Sequence, residues 1–127
     1  MATISTYNFP DHYKGDTLLP IVFSLKDSTN PPPYPPVSLE NATAKCQFRK
    51  DNEKGTLVKE LTTAVDGGLE ITDAAGGVLT MEGFVIDWTA GIYYYDIEFT
   101  FTSGVATVVK TYIRGTITVV QDVTKTV

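Results

Sequence analysis

The chain has one cysteine, one histidine and one tryptophan in 127 residues. A lone cysteine, Cys46, excludes an internal disulfide, so packing must hold the fold and synthesis in a reducing compartment is expected. A lone histidine, His12, cannot complete a His/Cys zinc site. Nor can it convincingly serve a Ser/His/Asp nucleophile, and no Gly-x-Ser-x-Gly elbow is present. Flanked by Asp11 and Asp16, it reads as an exposed loop residue. No apolar run reaches about 18 residues, so neither a membrane helix nor a membrane partner is expected. The opening MATISTYNFPDHYKGD lacks the basic start and apolar centre of a secretory signal. Basic charge is also scarce. Ten Lys and Arg against fifteen Asp and Glu leave a net charge of −5, which repels phosphate backbones and argues against a nucleic-acid partner. The one dense basic cluster (Lys45, Arg49, Lys50 and Lys54) is interrupted by Asp51 and Glu53, as a solvated strand end and turn would be.

What is present is a residue pattern repeating every second position. Hydrophobic residues make up 43% and charged residues 20%, ordinary for one globular domain with a real core. In TLLPIVFSLKD, Leu19, Ile21, Phe23 and Leu25 share a face. In NATAKCQFRKD, Ala42, Ala44, Cys46 and Phe48 alternate with Thr43, Lys45, Gln47 and Arg49, the mark of a half-buried strand. GTLVKEL suits a strand better than a helical turn. LEIT and VLTMEG flank DAAGG as a hairpin. In GIYYYDIEFTFT, Tyr93, Tyr95, Ile97, Phe99 and Phe101 face one way, and Tyr94, Asp96, Glu98, Thr100 and Thr102 the other. The returning run alternates Val105, Thr107, Val109, Thr111 and Ile113 with Ala106, Val108, Lys110, Tyr112 and Arg114, and Gly115 is expected to mark a bulge or bend. Five prolines around Tyr34 form a polyproline-type surface connection. About seven to nine short strands and no clear helix predict an all-β, immunoglobulin-like antiparallel sandwich. It should span residues 13–124, between an N-terminal arm (1–12) and a C-terminal tail (125–127).

Gly91, Tyr93 and Tyr95 occupy the spacing of the Gly-x-Tyr-x-Cys signature that enters a late immunoglobulin strand. Tyr95 would stand at the cysteine's place, with Cys46 about where its partner is expected. Tyr93 is then a candidate tyrosine corner, the alternative being a buried ring with a wet hydroxyl. Phe99 belongs to the same inward face, and Trp88 is assigned to the core.

The remaining motifs carry little chemistry. Asp66, Glu70 and Asp73 lie among glycines, but their spacing matches no calcium loop and suits turns. Pro31–Tyr34 matches a PPxY ligand, but the pattern is short and common, and a stiff loop packing its own tyrosine is the better reading. Asn41 opens a glycosylation sequon with no secretion signal to give it meaning. No phosphate-binding loop is present. Asp96 and Glu98 project from the outer strand face, where keeping the sheet surface soluble is the default reading and a site the alternative. No catalytic residue, metal site or cofactor is assigned.

The stretches YKGDTLLPIVFSLKD, PVSLENATAKCQFRKD, AGIYYYDIEFTFTSG and TYIRGTITVVQDVT together resemble a bacteriophage module. This is the immunoglobulin-like N-terminal domain of baseplate upper proteins, with its small stand-alone virion relatives. The matching positions are Gly15, Asp16 and Thr17; Leu39 and Ala42; Ala90, Gly91, Tyr93, Tyr95 and Asp96; and Gly115, Ile117, Val119, Val123 and Thr124. They cover about residues 13–124. The proline segment and the absence of a downstream coiled coil or receptor-binding domain depart from the pattern. The resemblance implies a non-enzymatic virion structural protein of tail, baseplate or head. It would be made in the host cytoplasm and act through contacts with other virion proteins or with its own copies. The competing expectation is a carbohydrate- or ligand-binding module, with Tyr94 and Tyr112 as exposed stacking rings.

Overall fold

The computed structural model describes residues 5–26, 35–104 and 106–121. They form eleven strands and no helix. Seven are substantial: β4 (Ile21–Ser24), β5 (Ala42–Lys50), β6 (Leu57–Thr62), β7 (Leu69–Asp73), β8 (Val78–Met81), β10 (Gly91–Ser103) and β11 (Ala106–Val120). The count exceeds expectation because β1 (Ser5–Thr6), β2 (His12–Tyr13), β3 (Thr17–Leu18) and β9 (Phe84–Val85) are two-residue pieces. Such pieces are too short to show alternation.

Two sheets face one another. The larger has the order β1-β11-β10-β5-β6, with β2 also on β11; the smaller is β4-β8-β7, and β3 and β9 pair separately. In chain order, β4 lies in the small sheet, β5 and β6 in the large one, β7 and β8 in the small one, and β10 and β11 in the large one. The facing orders β6-β5-β10-β11 and β7-β8-β4 reproduce the C′CFG and DEB sheets of the immunoglobulin sandwich.

The period-two pattern explains the core. Tyr93, Tyr95, Ile97 and Phe99 on β10, and Ala44, Cys46 and Phe48 on β5, are all buried. Phe23, Leu79, Met81 and Leu69 close over them from the small sheet in one continuous cluster. Each fully buried large side chain contributes about 1.5–3 kcal/mol. Phe48 lies at the centre, with ring centroids 5.3 Å from both Tyr95 and Trp88. Trp88 is half-buried rather than central and caps the aromatic group 4.8 Å from Tyr93.

Both buried tyrosines spend their hydroxyls on backbone. The Tyr93 hydroxyl donates to the Thr89 carbonyl at 2.6 Å, the bond of a tyrosine corner. The Tyr95 hydroxyl donates to the Tyr7 carbonyl at 2.6 Å. Burial pushes the Tyr95 hydroxyl well above its ordinary pKa, with the Cys46 and Tyr7 charges adding to it. Burial, assisted by the Asp96 charge, does the same to the Cys46 thiol.

Several expectations are corrected. Cys46 does not face Tyr95 across the sandwich. β5 is the neighbour of β10, so Phe48 pairs with Tyr95 and Cys46 with Ile97; spacing along the chain could not reveal which sheet β5 joins. Leu19 is 74% exposed, because Pro20 delays the strand to Ile21. The bulge falls at Tyr112, not Gly115. Ile97 pairs with Ile113 but Glu98 with Thr111, so Tyr112 and Ile113 are buried in succession. Gly115 answers a different need: a Cβ there would collide with the Tyr7 carbonyl oxygen. His12 belongs to β2, opposite Val119, and its Nε2 lies 2.9 Å from the Asp16 carbonyl oxygen. The expected N-terminal arm is part of the sandwich from Ser5 onward. β1 runs parallel to β11, Tyr7 and Phe9 donate their N–H groups to the Arg114 and Thr116 carbonyls, and Phe9 is buried. Tyr34 and the PPPY motif, Val105, Val123, Thr124 and the 125–127 tail lie outside the described residues.

Gly115→Ala should therefore push Tyr7 off the sheet and cost about 1–3 kcal/mol, as overpacking does, read as a lower urea midpoint at unchanged slope. The native protein should leave Cys46 unlabelled by a maleimide, with full labelling once guanidinium unfolds it.

Candidate functional site

The outer face of the large sheet is polar and ordered in rows. Register places Gln47, Asp96 and Arg114 side by side on β5, β10 and β11, with Thr6 of β1 beyond Arg114. The next row holds Arg49, Tyr94 and Thr116, and the row on the other side Lys45, Glu98 and Thr111. Alternation makes this face inevitable: every second residue of a strand whose partners point inward must point here.

A concavity of about 530 Å³ opens over these rows, within the range of about 300–1,000 Å³ seen for small-molecule sites. Its lining includes Tyr94, Asp96, Arg49, Arg114, Glu53 and Asn8. Asn8 forms one wall because its Oδ1 accepts the Thr116 N–H at 3.1 Å. Arg49 is held at the opposite wall, donating to the Gly55 carbonyl at 3.1 Å and to Gln47 Oε1 at 2.8 Å. Gln47 in turn donates to Glu60 Oε2 at 2.6 Å.

Asp96 and Arg114 are opposite charges placed directly across from one another. Even so, no ion pair or hydrogen bond joins either side chain to any described residue. Partial burial in the concavity raises the Asp96 pKa; the Glu98 and Glu53 charges add to the rise, and Arg49 opposes it. The concavity thus holds two exposed side chains of opposite charge, Asp96 and Arg114, neither bonded to a described residue.

The other residues singled out from the sequence fall elsewhere. Tyr93, Tyr95, Cys46 and Phe99 lie in the inner layer, Trp88 caps it, and Gly91 opens β10 opposite Val119 with φ 153°, a backbone angle that side chains disfavour. Tyr94 and Tyr112 do not act together. Tyr94 is half-buried on the outer face, whereas Tyr112 is 8% exposed and packs 5.7 Å from Phe99. The bulge turns Tyr112 inward, which alternation alone could not foresee. Asp73 accepts the Gly76 N–H at 3.0 Å, and Asp66 takes φ 60° in its turn. Among the described residues, no three His, Cys, Asp or Glu side chains converge as metal ligands. Asn8 and Arg114 had no signal of their own, since neither sits in a motif.

No protein-family model and no curated protein matches this sequence. Among solved structures, the ASH/PapD-like domain of human CEP192 (PapD-like domain 7) aligns at TM-score 0.41 and 11% identity. The alignment covers 94% of this chain and 83% of that one. Likeness at that level assigns no function, and the immunoglobulin-like architecture rests on the strand order and register described above.

A carboxyl whose pKa is raised on folding favours the protonated form in the native state. Its penalty is absent below the unfolded pKa of about 3.9 and grows as pH rises through the folded value. Asp96→Asn should therefore melt at a higher temperature than the parent at pH about 7, with the gap closing by pH about 3.

Proposed function

We propose that this chain is a non-enzymatic structural subunit of a bacteriophage particle that docks onto neighbouring subunits, or onto its own copies, through the first half of β11. The observation that carries the docking is the open edge there. β1 and β2 reach β11 at Ile113–Arg114 and Val119–Val120. Along Ala106–Thr111 no described strand lies on the outer side, and Val108 and Val109 are 47% and 52% exposed. An unpaired edge bearing apolar side chains is a template for strand addition, which isolated monomers ordinarily blunt. The particle setting is supported by the phage-module resemblance, carried by Gly91, Tyr93, Tyr95 and Asp96 with the returning Gly115, Ile117 and Val119.

The reading is tested on virions of the phage that encodes the chain. Mass spectrometry of purified particles should find it at stoichiometric abundance. Val109→Pro removes one edge donor, and the variant should remain soluble and cooperatively folded while its incorporation falls about tenfold or more. Its absence from washed particles would overturn the particle role, and normal incorporation of Val109→Pro would overturn the docking edge.

A further inference from the structure

We propose that the concavity over β5, β10 and β11 is a binding site for an uncharged saccharide, gripped through a vicinal diol by Asp96 and Arg114 with the Tyr94 ring beneath the sugar. The site lies on the outer face of the sheet and shares Thr111 with the β11 edge.

The charge arrangement selects the ligand class. An anionic ligand would meet the Asp96 and Glu53 carboxylates, and a cationic one would meet the Arg49 and Arg114 guanidinium groups; all four line the same concavity. A hydroxyl escapes both objections, because it donates one hydrogen bond and accepts others at the same time. Asp96 can only accept while ionised, and Arg114 can only donate. Neither side chain is bonded to a described residue, although register sets them directly opposite each other. Adjacent hydroxyls can answer both, each donating a hydrogen bond to the carboxylate and accepting one from the guanidinium.

The walls add selectivity. Tyr94 sits one row along the same strand face from Asp96, between Arg49 and Thr116, and its ring offers apolar area to the C–H face of a pyranose. Arg49 is already fixed by its bonds to Gly55 and Gln47, and Asn8 by Thr116. These walls are therefore preorganised and lose little entropy on binding.

The experiment is an amide-shift NMR titration of the full chain with lactose, maltose, cellobiose and mannobiose, with glucuronate and glucosamine as charged comparators. At least one neutral disaccharide should give saturable shifts centred on Tyr94, Asp96 and Arg114 at concentrations up to tens of millimolar. Both charged sugars should bind more weakly. Asp96→Asn and Arg114→Gln lie on the exposed face and should keep the parent's dispersed spectrum while weakening binding about tenfold or more. Val65→Ser, on a distant exposed loop, should bind as the parent does. The proposal fails if no neutral disaccharide gives saturable shifts, if the shifts map away from these rows, if a charged sugar binds best, or if both folded variants bind unchanged.

Discussion

β10 is hydrogen-bonded on both sides, and the molecule is organised around that constraint. Its thirteen residues pair with β11 along their full length and with β5 from Tyr93 to Phe101. A strand fixed on both edges cannot slip by one residue without exchanging its two faces. Here the exchange would put Tyr93, Tyr95, Ile97 and Phe99 into water and bury Asp96 and Glu98. The cost of that error, several large side chains at about 1.5–3 kcal/mol each, locks the register. The register in turn sets both surfaces at once: the aromatic interior and the polar lattice outside.

The N-terminal segment is recruited by the same strand pair. The Tyr95 hydroxyl reaches through the inner layer to the Tyr7 carbonyl, and the missing side chain at Gly115 lets that carbonyl approach. Tyr7 and Phe9 then bond to β11, and Phe9 closes the core. With the segment held there, Asn8 becomes a wall of the concavity. One buried hydroxyl therefore links core packing to the shape of the outer surface, and it does so in a chain with no disulfide to assist.

The two surfaces proposed for binding differ in physical kind. The edge of β11 offers backbone that no described strand pairs, with exposed valines, which suit another strand. The concavity offers separated charges, one ring and preorganised polar walls, which suit a small uncharged ligand. They meet at Thr111, which lines the concavity and ends the edge stretch.

The alternation in GIYYYDIEFTFT and NATAKCQFRKD was enough to place β5 and β10 and their buried faces, because a strand's side chains must alternate whatever it pairs with; the Gly91 and Tyr93 spacing made Tyr93 only a candidate corner, and the bond to Thr89 decided it. The single cysteine likewise excluded an internal disulfide. What alternation cannot encode is which strands become neighbours. Only the tertiary structure placed Cys46 beside Ile97 rather than across from Tyr95. Only it turned Tyr112 inward through a bulge, drew Ser5–Phe9 onto the sheet, and set Arg114 opposite Asp96. Each of these depends on contacts between residues far apart in the chain, and a local period carries no information about them.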